Sequence, residues 1–444
     1  MNKHGGKVIG SGGFGCVFKP SIKCNNSTTT STNYISKLML KKNAKEEIEE
    51  MKQYMIILKL IPNYKKYFLI DDIEVCQPDI ISEKDLTKFD SDCSALLKHG
   101  ITKQNINDKL YDLMAINMPY GGVSVGSYVE KHHSFASLTE LHLSLIDLLQ
   151  NGIIPMNKKD LYHCDIKSAN VLVEDDSINN DSINNDSSNK VNSSNKDKDN
   201  SSNKTFTRII DWGLSVHYTN KKEVPDNLFK RPFQFNLPFS VILFSDDFVD
   251  SYTRFLSANK SPKTYQIREF TINFIYDWIK KRGMGHLKAI NKRISLLYDK
   301  ELTKSVDDKN TILKYDFTYY HIIEYISTIL CKFTKNGKFY IEEYFNNVFI
   351  QNVDIYGFIW IYYPIVELLY EHYDSLSQND LELFSNLRYL FIHYLFEIST
   401  TPIPVNELIS FLKKITILFS QSNISNMTNE NNSMSSNKIF TISL

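Results

Sequence analysis

Neither sign of charge dominates this chain of 444 residues. Lys plus Arg and Asp plus Glu are both 51, so no global positive field draws it onto nucleic acid or an anionic membrane. The six cysteines, Cys16, Cys24, Cys76, Cys93, Cys164 and Cys331, include no CxxC pair and no histidine partner at metal-ligand spacing. In a chain too large to need covalent staples they read as reduced thiols of a cytoplasmic protein. MNKHGGKVIG contains no apolar run of signal-peptide length, Asn2 stands where myristoylation requires glycine, and TISL is no prenylation box. The most apolar stretch, Phe358 to Tyr370, is too short to span a bilayer and has Asp354 just before it and Glu367 within it. It reads as a buried core helix.

What is present is core material: 42% hydrophobic and 13% aromatic residues, ample for a substantial buried interior and incompatible with a wholly disordered chain. The length permits several domains or one domain with large insertions. From Lys7 to Phe18, apolar residues around a glycine cluster predict two strands joined by a hairpin. A polar stretch, Asn25 to Asn33, precedes a third strand at Tyr34 to Leu40. Ala44 to Leu60 places Ile48, Met51, Met55 and Leu58 at helical spacing. Strand-like runs at Tyr67 to Cys76 and Leu110 to Met118 bring the sheet to five strands. After Gly122 the texture turns helical, beginning with Leu138 to Gln150 and Gly152 as its stop. Two Asn/Ser-rich tracts, about 175–205 and 421–444, read as a disordered surface insertion and a tail.

Three motifs carry chemistry. Gly10-Ser11-Gly12-Gly13-Phe14-Gly15-Cys16-Val17 is a GxGxxGxV hairpin whose bare backbone can close over nucleotide phosphates, although glycine-rich turns also arise for purely conformational reasons. His163-Cys164-Asp165-Ile166-Lys167-Ser168-Ala169-Asn170 leads into the apolar strand Val171-Leu172-Val173 as HxDxxxxN. Here a carboxylate (Asp165) can orient and deprotonate a hydroxyl, a lysine (Lys167) can neutralise a transferring phosphoryl, and an amide (Asn170) can ligate magnesium. An Asx-rich turn before a strand explains the ends of this motif but not Lys167. Ile209-Ile210-Asp211-Trp212-Gly213 ends a strand in Asp-aromatic-Gly, so that Asp211 can bridge magnesium to phosphates.

With these motifs in this order the chain resembles the eukaryotic-type protein kinase family, from Gly10 to about Leu369. The resemblance implies an α+β, bilobal protein-kinase-like fold. Its small N-lobe, about residues 1–118, would hold a five-stranded antiparallel sheet plus one helix. A hinge at 118–122 would lead to a larger, mainly helical C-lobe at 123–420 with insertions at about 175–205 and 240–347. The implied cofactors are ATP and magnesium. ATP would be contacted by Ile9, Gly10, Ser11, Gly12, Gly13, Phe14, Gly15, Cys16 and Val17, by Lys37 with its helix partner Glu47 (Glu50 being the alternative), and by the hinge residues Met118, Pro119 and Gly121. Asp165 and Lys167 would be catalytic, and Asn170 and Asp211 metal ligands. Asp354 in Val353-Asp354-Ile355-Tyr356-Gly357 would hold the catalytic-loop backbone from the family's central large-lobe helix. Pro364, further along that same expected helix, departs from the family and predicts a kink there.

The pattern departs from the family at Cys164, where an arginine often grips an activation-loop phosphate, and after Leu214, where Arg231-Pro232-Phe233-Gln234-Phe235-Asn236-Leu237-Pro238 replaces Ala-Pro-Glu. The implied enzyme is therefore not gated by activation-loop phosphorylation. The RPFQFNLPFS segment and the Asn-, Ile- and Lys-heavy texture resemble serine/threonine kinases of giant mimivirus-type DNA viruses, implying host cytoplasm or virion as location. The expected activity is transfer of the ATP γ-phosphate to Ser or Thr hydroxyls of proteins, with no nucleic-acid or membrane partner. The alternatives are a pseudokinase scaffold and a small-molecule phosphotransferase.

Overall fold

Turn chemistry and alternation agree at the glycine cluster, and a hairpin forms there. β1 (Lys7–Ser11) and β2 (Gly15–Lys19) pair antiparallel with Ser11 opposite Cys16. β3 (Tyr34–Leu40), β4 (Glu74–Cys76) and β5 (Leu113–Pro119) complete a five-stranded antiparallel sheet in the order β1-β2-β3-β5-β4. The computed structural model describes residues 6–25, 33–175, 205–221, 223–229, 231–302 and 313–421. The expected insertion therefore falls outside the described residues from 176 to 204, as do the tail from 422 and the centre of the polar stretch before β3.

The period of two along β3 and β5 decides which side chains meet which cover. Met39, Met114, Ile116 and Met118 pack with Ala44 and Ile48 of α1 (Lys41–Leu58) on one face. Leu38, Leu40, Leu113 and Ala115 pack on the other face against Ile81, Leu86, Phe89, Leu96 and Ile106. Those residues belong to an irregular segment containing the short helices α2 (Phe89–Asp92) and α3 (Ser94–Leu97). The sheet is thus covered on both sides, and the second cover has no counterpart in the sequence reading. That segment also corrects the reading of the cysteines. Cys16 pairs with Cys93 and Cys24 with Cys76, at Cα separations of 5.5 and 5.7 Å; only Cys164 and Cys331 are thiols. Sequence separations of 77 and 52 residues concealed both pairs. The strand expected from Tyr67 shrinks to Glu74–Cys76, and Phe68 keeps only a single parallel bridge to Ile209.

The chain divides into two compact units: residues up to Gly122 together with Arg208–Gly213, and Val123–Thr207 together with the chain from Leu214 onward. The second unit is mainly helical. After β6 (Val123–Ser124) and α4 (Val125–Val129), helix α5 (Phe135–Asp147) is capped by Ser134, whose Oγ accepts the Ser137 N–H. Its apolar face is buried through Leu138, Leu141 and Leu145. Gly152 does not stop this helix. It is buried in a π-helical turn, Leu148–Ile153, which runs on into α6 (Ile154–Asn157) because Leu148, Leu149 and Ile153 continue the buried face. β7 (Leu161–Tyr162) pairs with β10 (Val216–His217), while β8 (Val171–Asp175) lies between β6 and β9 (Thr205–Ile209).

Residues 240–347 include four helices, Asp246–Ala258, Thr264–Arg282, Gly285–Leu302 and Leu313–Phe333. The helix Ile350–Trp360 is buried on every side from Asn352 to Trp360. Pro364 does not kink a continuous helix. One helix ends at Trp360, and Pro364 sits in the first turn of the next, Tyr363–Glu371, where its missing N–H needs no partner. The stretch Ile341–Glu371 is long and apolar enough to cross a membrane, but 83% of its most apolar window is buried inside the fold, as a core element requires.

One buried base in this core predicts acid sensitivity. His142 on α5 places Nδ1 3.1 Å from the Tyr362 hydroxyl and Nε2 3.0 Å from the Leu412 carbonyl, and stacks on Phe419. Burial lowers its pKa to about 4. The unfolded chain therefore binds a proton that the folded chain refuses between pH 6.5 and about 4, and stability falls as pH falls through that window. The expected loss is roughly 3 kcal/mol, read from urea midpoints against pH; in His142→Gln that part of the slope should flatten.

Candidate active site

In the first unit, β2 sets Val17 opposite Lys37, and β5 sets Ile116 against Lys37 from the other side. Lys37 shares the sheet face of Met39, the face that α1 covers. Its Nζ donates to both Glu47 carboxylate oxygens at 2.7 and 2.8 Å and lies 3.5 Å from Asp211 Oδ1. Burial alone would lower the Lys37 pKa, but Asp211 and Glu47 outweigh it and hold the ammonium above its ordinary value. Of the two glutamates weighed from the sequence, Glu47 pairs with Lys37, while Glu50 is exposed.

The glycine hairpin is open at its tip. Ile9 and Phe14 are exposed. An added Cβ at Gly10 or Gly13 would meet nothing within 4 Å, and at Gly12 only Gly15 O at 3.8 Å; none of the three has a left-handed φ. Neither conformation nor packing within the protein requires glycine there. Gly15 is different, because its Cβ would meet Leu38 O at 2.7 Å on β3. Two side chains expected at the nucleotide turn elsewhere. Ser11 Oγ accepts the Ala95 N–H at 3.2 Å, and Cys16 is bonded to Cys93. At these positions only the backbone remains for a ligand. At the expected hinge, Met118 and Pro119 close β5, the Tyr120 N–H donates to Asn33 O at 2.8 Å, and Gly121 is buried. The first unit ends at Gly122.

In the second unit, the loop between β7 and β8 gathers Asp165, Lys167 and Asn170. Asp165 Oδ2 accepts from Lys167 Nζ at 3.0 Å and from Asn170 Nδ2 at 2.9 Å, and Asn170 Nδ2 also reaches Asp165 O at 2.9 Å. Both contacts use the Asn170 amide nitrogen, so its carbonyl oxygen, the hard ligand magnesium takes, is not spent on the loop. The loop hangs from the buried helix Ile350–Trp360. Asp354 Oδ2 accepts the His163 N–H at 2.8 Å and Asn157 Nδ2 at 3.0 Å, while Oδ1 accepts the Cys164 N–H at 2.8 Å. Burial pushes the Asp354 pKa above the ordinary aspartate value, against the pull of His163 and these hydrogen bonds. Gly357, one turn on, lies against Ile166, and a Cβ there would come within 2.5 Å of Ile166 O.

Cys164 and Asp211 both have left-handed backbones, φ +58° and +67°. Non-glycine residues hold that conformation only when their surroundings over-determine it, and such residues concentrate at functional sites. The Cys164 thiol is buried, and burial raises its pKa well above the usual value, leaving it inert.

The sequence reading gave no role to two residues that meet Asp165. Asn236 Nδ2 donates to Asp165 Oδ1 at 2.9 Å and to Ile166 O at 3.3 Å. Arg231 Nη2 donates to Cys164 O at 2.6 Å and lies 3.8 Å from Asp165 Oδ1. Their one signal was the polar residues set among aromatics in Arg231 to Pro238. No group of three or more His, Cys, Asp or Glu side chains that could hold a metal by itself occurs among the described residues. Scanned against protein-family models and compared with curated proteins, the chain finds no match.

Proposed function

We propose that the chain is a serine/threonine protein kinase that transfers the ATP γ-phosphate to protein hydroxyls. In the fold reading that accompanies this, the sheet unit is the small lobe and the helical unit the large lobe of a protein-kinase-like fold. The observation that carries the proposal is the loop around Asp165, a buried carboxylate that receives Lys167 and Asn170 while Asp354 accepts the backbone N–H groups of His163 and Cys164 just before it. A carboxylate fixed in this way can orient a hydroxyl and accept its proton.

The fit to magnesium-bound ATP rests on four features: the Lys37 ammonium, kept charged in a buried setting; the glycines whose absence of side chains the protein itself does not need; the Asn170 carbonyl oxygen; and the Asp211 carboxylate, about half exposed. When bound, magnesium-ATP supplies the electrophilic phosphorus and its diphosphate leaving group. Lys37 and the glycine hairpin backbone would bind phosphate oxygens. Asn170 and Asp211 would ligate magnesium, a role that needs few protein ligands when phosphates supply the rest. Lys167 would offset charge gathering on the transferred group. Positioning and electrostatics carry the rate in such a reaction. With Cys164 in place of a phosphate-gripping arginine, phosphatase treatment is expected to leave the activity unchanged.

The test is transfer of labelled γ-phosphate to a generic basic protein, followed by phosphoamino-acid analysis. Label on Ser or Thr is the expected result. Nucleotide binding without transfer would replace the proposal with a pseudokinase, and label on a small-molecule alcohol in place of protein would move it to a small-molecule phosphotransferase.

A further inference from the structure

Arg231 is a costly side chain to bury where it stands. Its side chain is 3% exposed, yet Nε and Nη1 have no hydrogen-bond partner. Burying a guanidinium with two nitrogens unsatisfied disfavours folding, and an apolar residue of similar volume would fill the same space more cheaply. What the charge accomplishes is confined to one place: Nη2 donates to Cys164 O at 2.6 Å and stands 3.8 Å from Asp165 Oδ1.

Cys164 is the residue with φ +58° immediately before Asp165. Its N–H is fixed by Asp354 and its carbonyl by Arg231. The strained peptide that aims Asp165 is therefore gripped at both polar ends, once from the central helix and once from the segment Arg231–Pro238. Asn236, five residues further along that segment, donates to Asp165 Oδ1 itself. The segment is in turn braced by aromatic packing. Phe233 meets Phe239 and Trp278, and Phe235 meets Trp360 edge-on with the Arg293 guanidinium 3.8 Å above its ring. Trp278 and Arg293 belong to the helices Thr264–Arg282 and Gly285–Leu302, so the inserted helices hold the segment that in turn holds the loop.

We infer that Arg231 is a positioning residue for Asp165, acting through the Cys164 carbonyl, and that the inserted helices keep it in place without phosphorylation. The inference rests on the kinase reading of Asp165 and names how that site is kept aligned. A group that merely filled space would affect how much protein folds. A positioning group affects turnover per folded molecule.

The experiment measures turnover per nucleotide-binding equivalent, KM for ATP and melting temperature for wild type, Arg231→Met and Arg231→Lys. Arg231→Met is expected to lower kcat on the order of 10²-fold, the scale of a small misplacement of a reacting group, with KM for ATP within about twofold. Its melting temperature should also fall, because the buried Cys164 carbonyl and Asp165 carboxylate lose a partner, which is why turnover is counted per nucleotide-binding equivalent. Arg231→Lys, which keeps the charge but loses the fork, should recover about tenfold of the loss. If Arg231→Met does not fold, Arg231→Lys is read by the same criteria and should show roughly a tenfold fall in kcat at unchanged KM. A folded variant with wild-type kcat, or one whose lost activity is accounted for by a lower binding-competent fraction, overturns the role of Arg231 while leaving the kinase reading intact. Wild type that binds nucleotide but transfers nothing overturns both.

Discussion

Asp165→Asn should lower phosphoryl transfer by roughly 10²- to 10⁴-fold, the range for removing a general base, while the fold is retained and nucleotide affinity stays close to wild type. The separation of these effects follows from the hydrogen bonds. Asp165 Oδ2 faces two donors, Lys167 Nζ and Asn170 Nδ2, and Oδ1 faces a third, Asn236 Nδ2. An asparagine whose oxygen keeps the Oδ2 position retains the first two contacts and sets its own NH₂ against the Asn236 NH₂. Asn236 can relieve that clash by rotating its amide, because its Oδ1 has no partner in the native arrangement and becomes the acceptor. What this rearrangement loses is the weaker bond to Ile166 O and the negative charge that the buried Arg231 guanidinium faces at 3.8 Å, so stability should fall by about 1–3 kcal/mol with the fold retained. None of this restores an oxygen basic enough to take a proton from a serine hydroxyl. Transfer kinetics, a thermal melt and a nucleotide titration on the same preparation check the three parts. Retention of transfer in this variant would remove Asp165 from the mechanism.

How much of this site was legible beforehand depended on sequence distance. The contacts of Lys167 and Asn170 with Asp165 span two and five residues, so the motif shows them directly. Lys37 and Glu47 are ten apart, across the junction of a strand with a helix, and a helical face of glutamates narrowed the partner to two. Asp354 is nearly two hundred residues from the backbone it holds, and it was reached only through a resemblance. The cover formed by residues 81–106 was not legible, because α2 and α3 are single turns without periodicity and their apolar residues bury against a sheet face that no local pattern announces. The disulfides followed from that same unseen cover. Arg231 and Asn236 were in plain view within a quoted segment, but their role arises only when the chain folds back on the loop some seventy residues earlier, and no spacing rule describes that return.

Gly357→Ala should damage both the fold and the site with a single methyl. The helix Ile350–Trp360 approaches the loop so closely that a Cβ at residue 357 would lie 2.5 Å from Ile166 O and 3.0 Å from Ile166 Cβ. The first of these contacts is with backbone, so no rotamer change relieves it. Either the helix or the loop must move. The helix is buried on all sides, and one turn earlier its Asp354 already carries His163 and Cys164. The loop is consequently the part that shifts, and Asp165 is the residue next to the displaced Ile166. Overpacking of this kind costs about 1–3 kcal/mol, and a displacement near 1 Å at the reacting carboxylate lowers turnover on the order of 10²-fold. Gly126→Ala is the matched control. Its Cβ would meet nothing within 4 Å in α4, and the gain in helix propensity should make it neutral or stabilising by up to about 1 kcal/mol. Melting temperatures and transfer rates for the two variants separate a specific need for glycine at the helix–loop contact from a general intolerance of added methyl groups. If Gly357→Ala matches Gly126→Ala in both, the central helix does not set the position of Asp165.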